Sequence, residues 1–326
     1  MGWLNRSPHT LIFWGIEVTR YLTRRVLFFI PVLLGVYTLV FFLMRATPGG
    51  PWDRAEKPLT EAAIARLNAK YKLDRPLYEQ YFDYIWGVVT RFDFGPSYRN
   101  ATQTVTEIIA QFFPVSLQIG ATAMLLAVVA GVSLGTISAL HPNTWIDYLA
   151  VLFSILGYSV PVFVVAPVLV VVFAVWLKWL PTGGWDGLFS KSAILPVVTL
   201  AIAPTAALAR YSRASILEVT RQDYVRTARA KGLMERAVLV RHILANALIP
   251  IVTVAGLYLA FVVTGSFFVE TILRVPGIGR YFVKSIQARD YPVIMGTTLL
   301  LAFLVTFMNL IVDLLYGFLD PRIRFE

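Results

Sequence analysis

Hydrophobic residues in this chain come in long unbroken blocks. Val26–Met44 is the first clear block, with Arg24 and Arg25 before it and Arg45 after it. Val115–Leu140, Leu149–Leu177, Ala193–Ala209, Leu248–Val269 and Val293–Phe318 follow. An α-helix rises about 1.5 Å per residue and the hydrocarbon core of a bilayer is about 30 Å thick, so roughly 20 apolar residues cross it. The pattern therefore predicts an all-α integral membrane protein with six transmembrane helices. Gly120, Gly131 and Gly135 offer points of close approach to neighbouring helices in the second block. The third is long enough to tilt, and Pro161 and Pro167 are expected to bend it.

Outside these blocks the pattern changes. In "LTEAAIARLNAKYKLDRPLYEQYFDYIWGVV", Glu61, Arg66, Asp74 and Glu79 alternate with apolar residues at helical spacing, and Pro76 interrupts the run. Two amphipathic helices are expected there, forming a small extracytoplasmic cap between spans 1 and 2, away from lipid. Gly95-Pro96 breaks the chain before it returns. Leu11–Ile16 is too short to cross and has no cleavage site after it, so a short interfacial helix is expected, with Trp3 and Trp14 at headgroup depth. The resulting division is an N-terminal cytoplasmic extension (1–25), span 1 (26–44), an extracytoplasmic loop (45–114), a core of spans 2–6 (115–318) holding a cytoplasmic loop at 210–247, and a tail (319–326).

Charge sets the orientation. With both termini cytoplasmic, the inner side receives Arg6, Arg20, Arg24, Arg25, the eight basic residues from Arg210 to Arg241, Arg322 and Arg324. The short outer loops keep Lys178, Lys191, Arg274, Arg280, Lys284 and Arg289, which agrees with the positive-inside rule. The net charge of +10 is thus read as a membrane property, with no nucleic-acid partner. The 326 residues are 57% hydrophobic and only 15% charged, against about 25% charged in soluble domains. Zero cysteines exclude disulfides and thiolate metal sites, and His9, His141 and His242 lack ligand spacing, so no metal site is expected. The chain has no GxxxxGK[ST] phosphate loop, GxSxG elbow or HExxH, so it is not expected to be an enzyme or to bind ATP itself. Asp313, with Asn309 one turn earlier, is the exceptional acid inside a span. It is either a relay group or, close to the helix end, a structural partner.

The segment "DYVRTARAKGLMERAVLVRHILANALIP" (223–250) concentrates basic residues around one glycine. A positive-inside anchor needs only a few of them. Ile216–Lys231 is helix-compatible, and Gly232 frees the backbone to turn or take positive φ. A second helix restarts at Glu235 with Val240, Ile243, Leu244, Ala247 and Leu248 along one face. Helix, glycine break, helix makes an elbow standing off the bilayer, suited to insertion into a cleft on a partner.

With these residues in place the chain resembles the membrane-spanning permease subunit of a binding-protein-dependent ABC importer, in the dipeptide/oligopeptide (peptide/nickel) branch. The general signature of that family is Glu-Ala-Ala, three residues, then Gly. Here Arg226, Thr227 and Ala228 take the first three places and Gly232 the last, and "YVRTARAKGL" is the form typical of the peptide branch. "RRVLFFIPVLLGVYTLVFFLMRATPGGP", "YKLDRPLYEQYFDYI", "DFGPSYR", "VPGIGRYFVKSIQARDYPVIMG" and "DLLYGFLDPRIR" resemble its other segments in the same order. The first 18 or so residues extend beyond its usual start.

The resemblance implies that Tyr224, Arg226, Thr227, Ala228, Arg229, Ala230, Lys231, Gly232, Leu233 and Arg241 belong to a coupling loop docking on an ATP-binding subunit. It implies a second homologous permease subunit, two ATP-binding subunits carrying the ATP and Mg, and an extracytoplasmic solute-binding protein. The setting would be a bacterial or archaeal plasma (inner) membrane. The cargo would be di- or oligopeptides, with nickel chelates or oligosaccharides as the alternative within the same class. "LHPNTWIDYL" (140–149) is either a smaller second contact or a plain tight turn. From other classes, an ion-coupled secondary transporter would need paired mid-membrane carboxylates or an internal repeat, and a membrane scaffold would need neither.

Overall fold

The computed structural model describes residues 8–53, 60–100, 102–263 and 267–319; the side chains of 8–22, 249, 253, 260, 263 and 315–319 are left out of account. Among the described residues the protein is helical throughout, with a single isolated bridge between Pro96 and Thr104. The helices are α1 (Pro8–Ala46), α2 (Glu61–Lys70), α3 (Leu77–Arg91), α4 (Val105–Leu140), α5 (Trp145–Ser159), α6 (Val162–Leu169), α7 (Lys191–Thr220), α8 (Asp223–Ala230), α9 (Glu235–Ala237), α10 (Ala245–Val263), α11 (Phe267–Ile272), α12 (Ile278–Ala288) and α13 (Tyr291–Leu319). Wider π-helical turns extend α6 over Val170–Trp176 and join α9 to α10 over Val238–Leu244. Among the described residues four helices are long and apolar enough to cross a membrane, or up to six if each bent pair counts as one span. The chain is a multi-pass membrane protein.

Two expectations are corrected. Leu11–Ile16 is no separate interfacial helix, because α1 runs unbroken from Pro8 to Ala46. Nothing between Thr10 and Arg25 stops it, since a lone Gly15 costs a helix only about 1 kcal/mol. Trp3 lies outside the described residues. The third hydrophobic block is more sharply broken than a tilted span: its arms, Trp145–Ser159 and Val162–Trp176, are bent by 109° relative to one another. Val160 is extended (φ −84°, ψ 120°), as a residue before proline tends to be, and Pro161 starts the new helix. Pro167, by contrast, sits inside α6 without ending it.

The core forms where α4 lies against α7. A Cβ on Gly131 would come within 2.7 Å of Leu208 Cβ and 2.8 Å of the Thr205 carbonyl, and one on Gly135 would overlap the Ala209 carbonyl. Four residues apart on one face, the two glycines let the backbones approach as in other small-residue seams. Ile119, Ala123, Met124, Ala127, Leu208 and Ile251 fill the buried cluster around this seam.

At the end of the bundle near α12, buried carboxylates hold the chain. Glu270 accepts from Ser116 Oγ (2.7 Å) and from the backbone N–H of Arg280 (3.1 Å), and Ser116 Oγ in turn takes the Ile278 N–H (2.9 Å). The acid thus supplies the anion that a helix N-terminus favours, at the start of α12. Gly277 leaves the room, since any Cβ there would run into the Glu270 carboxylate. Asp290 accepts from Ser97 Oγ and from the N–H groups of Tyr98 (3.0 Å) and Arg99 (3.3 Å), while Arg99 donates to the Ala288 carbonyl. The segments "DFGPSYR" and "ARDYP" are therefore two halves of one clamp. At the opposite end of α13, Arg25 pairs with Asp313 at 2.9 Å, which gives that acid a structural partner.

Replacing Gly135 by alanine should force α4 and α7 apart at a cost of about 1–3 kcal/mol, the usual range for overpacking. The measurement is the thermal unfolding midpoint of the purified protein in detergent. Alanine at Gly35, inside α1 where a Cβ meets nothing within 4 Å, should not lower that midpoint.

Candidate functional site

The basic elbow is built by two successive breaks in what would otherwise be one long helix. α7 ends at Thr220, and a turn at Arg221–Gln222 starts α8, so the stretch read as one helix over Ile216–Lys231 is two. α8 is only eight residues long, too short to be stable alone, and depends on the surface beneath it. Val225 and Ala228, three apart, face inward into a buried cluster with Ala139, Ile216, Val238, Ile243 and Ala247. Within the return helix Ile243 and Ala247 are buried and Leu244 half-buried, whereas Val240 and Leu248 are exposed. The expected apolar face is therefore narrower than its sequence spacing implies.

Gly232 closes the elbow. It takes φ +75°, its N–H donates to the Arg229 carbonyl (2.9 Å), and the Leu233 N–H reaches the Ala228 carbonyl (3.4 Å). This is the Schellman pattern that ends helices in a left-handed residue. Arg229 then grips Glu235 through Nε–Oε1 at 2.8 Å and a second contact at 3.3 Å, tying the end of α8 to the start of α9. Both side chains are well exposed, so the pair adds shape more than stability.

Of the sequence-derived site residues, Tyr224, Arg226, Thr227, Arg229, Ala230, Lys231, Gly232 and Leu233 are on the exposed side of α8 and its C-terminal turn, together with Met234. Ala228 is buried and serves the packing instead. Arg241 is exposed on the π-helical stretch. Partial burial pushes the Tyr224 phenol above its ordinary value, so it remains a neutral donor. The exposed residues are cations together with the apolar side chains of Tyr224, Leu233 and Met234.

Sequence reasoning missed how the elbow is anchored. Asp147 is buried and accepts a two-point ion pair from Arg213, Nε–Oδ1 2.6 Å and Nη2–Oδ2 2.7 Å, plus the Asn143 N–H (3.0 Å) and Ser138 Oγ. The bond joins the 140–149 segment, the C-terminal end of α4 and α7 just ahead of the elbow. Ser215 Oγ also donates to the Ala247 carbonyl (3.0 Å), linking α7 to α10. An acid at the edge of one apolar block and an arginine at the edge of another were the available signal. Among the described residues no group of three or more His, Asp or Glu could hold a metal.

Comparison with known proteins bears on this geometry. The family described as "Binding-protein-dependent transport system inner membrane component" matches residues 131–325, and its N-terminal companion, "Binding-prot-dependent transport system membrane comp, N-term", matches 18–120. The chain is 44% identical over 307 residues to the dipeptide transport system permease protein DppB of Bacillus subtilis (strain 168), covering 94% of this chain and 98% of that one. It is 44% identical over 306 residues to the oligopeptide transport system permease protein OppB of Salmonella typhimurium, covering 94% and 99%. Among solved structures, the inward-facing MetNI methionine ABC transporter matches with a TM-score of 0.52 at 15% identity, over 66% of this chain and 97% of that chain, a likeness of fold.

A residue with a Cβ at Gly232 pays for left-handed φ even though the space around it is open. Gly232→Ala should loosen the turn by about 1–2 kcal/mol, which is roughly 5–30-fold in local opening. Gly232→Asn should cost less, because asparagine tolerates this conformation. Hydrogen exchange of the amides between Ala228 and Glu235 reads both changes.

Proposed function

The chain belongs to the family of binding-protein-dependent transport system inner membrane components, and from that premise we propose that it is the permease subunit of an ABC importer that carries di- and oligopeptides. The proposal includes six spans, with each of the two bent pairs counted as one. Both termini and the α8 elbow lie in the cytoplasm, and α2, α3 and α12 lie on the outer side. A second, homologous permease subunit completes the pathway. Two ATP-binding subunits supply ATP and Mg, and an extracytoplasmic solute-binding protein delivers cargo. The subunit itself is no ATPase.

The observation that carries this reading is α8. A helix of eight residues with two side chains buried, a left-handed glycine at its end and an exposed basic and apolar outer side is a rigid part presented to a partner. Coupling needs that rigidity. If the ATP-binding subunits close beneath the membrane, their displacement reaches the spans only through a contact that does not give way. In this proposal Tyr224, Arg226, Thr227, Arg229, Ala230, Lys231, Gly232, Leu233 and Arg241 form the docking surface, and Ala228 seats it. The Asp147–Arg213 pair passes the displacement to α4, α5 and α7 together, because breaking it would leave a buried charge without a partner.

The purified chain should show no ATP turnover alone, and gain it with its partner subunits, stimulated by loaded binding protein. Turnover by the isolated subunit would refute the assignment. Within the assembled complex, Gly232→Val should leave membrane insertion unchanged and cut peptide uptake more than tenfold. Orientation has its own test, made clean by the absence of cysteine. A single cysteine at exposed Thr102 should react with a membrane-impermeant maleimide from outside, and one at exposed Gln222 only once the inner membrane is opened.

A further inference from the structure

The helix α3 is amphipathic in an unusual way. Tyr81, Tyr84 and Ile85 pack toward α1 with Tyr37 and Phe41. A polar strip of Glu79, Gln80, Asp83 and Thr90 runs along another side. Between the packed and polar sides lie Tyr78, Phe82, Trp86 and Val89, within roughly 80° of arc at 3.6 residues per turn. These four are 64% to 69% exposed and lie side by side, the kind of contiguous apolar strip that marks a partner or membrane surface.

The depth of α3 identifies what covers them. Tyr37 Oη donates to the Tyr81 carbonyl at 2.6 Å, and Thr38 Oγ1 shares a hydrogen bond with Tyr81 Oη at 2.7 Å. Tyr37 and Thr38 precede Arg45, the first charge at that end of α1, by seven or eight residues, or about 10–12 Å along the axis. Helical side chains lean toward their own N-terminus, which here is further into the membrane. α3 is thus held alongside the spanning part of α1, not above it. Its apolar strip also continues the exposed surface of α1. Leu39, Phe42 and Leu43 are more than half exposed, the Phe42 ring stacks on Tyr81 (6.2 Å), and the Tyr81 ring meets Phe82 edge-on (5.2 Å). Arg75 and Arg91, both exposed, flank the helix, and Arg75 pairs with Glu79 and Asp83 of the polar strip.

We propose that α3 is an interfacial helix of the outer leaflet, with Tyr78, Phe82, Trp86 and Val89 in contact with lipid acyl chains and Glu79, Asp83 and Thr90 in water. The proposal rests on α1 crossing the bilayer and departs from the expectation that this segment stays clear of lipid. Its occupant is phospholipid because the strip is apolar and aromatic, continues a spanning helix and ends in cations, the arrangement of helices that lie in the membrane interface. Anchored in this way, α3 would hold the outer end of α1 at a fixed depth while the bundle moves.

The test uses the complete transporter in phosphatidylcholine nanodiscs, with nitroxide labels on single cysteines at Phe82, Trp86, Val89 and Asp83, and at Leu39 as the lipid reference. Collision with oxygen should exceed collision with a water-soluble nickel chelate several-fold at Phe82→Cys, Trp86→Cys and Leu39→Cys, and the order should reverse at Asp83→Cys. Val89→Cys serves if either aromatic replacement prevents assembly. Nickel access at the strip would place it in water and overturn the proposal. Exclusion of both reagents would put protein there, the second permease or the docked binding protein, and would overturn it equally. A water-exposed Leu39 would refute the membrane placement of α1 itself, a failure distinguishable from that of α3 alone.

Discussion

The close approach of α4 and α7 at Gly131 and Gly135 is the contact on which the rest of the molecule depends. In a membrane the hydrophobic effect gives helices little reason to associate, so contact distance carries the burden. Here the backbones meet because two side chains are missing, and Thr205, Leu208, Ala209 and Ser212 fill the space they leave. The seam continues beyond the glycines into the Ser138–Asp147–Arg213 bonds, where apolar packing gives way to a buried ion pair. Past that point α7 leads directly into the elbow.

The two ends of the bundle are held by different means. At the elbow end, buried apolar residues seat α8 and leave its other side exposed. At the opposite end, carboxylates bind backbone N–H groups: Glu270 at the start of α12, and Asp290 on the turn at Tyr98 and Arg99. Charged acceptors make stronger hydrogen bonds than neutral ones, particularly when buried. Such bonds fix the return segments without a disulfide, in a chain that has no cysteine.

Breaks in the helices occur where their freed backbone groups have partners. At Pro161 the Val160 N–H still reaches the Leu156 carbonyl, and the Pro161 carbonyl takes the N–H groups of Val164 and Val165. At Gly232 the Schellman bonds do the same outside the bundle. These local solutions are what allow a chain confined by lipid to bend at all.

Much of this was legible in the linear chain. Apolar blocks of spanning length determined that the protein is helical and sits in a membrane, because lipid leaves backbone N–H and C=O groups no partner except their own helix. The basic stretch around Gly232 marked the elbow, and the ordered segments from "RRVLFF" to "DLLYGF" marked the family. Periodicity, however, reports only that a side is apolar, not what it meets. Only tertiary structure decided that Ala228 packs inward while Leu233 is presented, and that the long block at Leu149–Leu177 is bent by 109°. Tertiary structure also decided that Asp147 finds Arg213, 66 residues away, and that Ser97 finds Asp290 across 193. Such pairs depend on which helices lie side by side, and adjacency is settled by the summed packing of the bundle, which no local stretch of sequence contains.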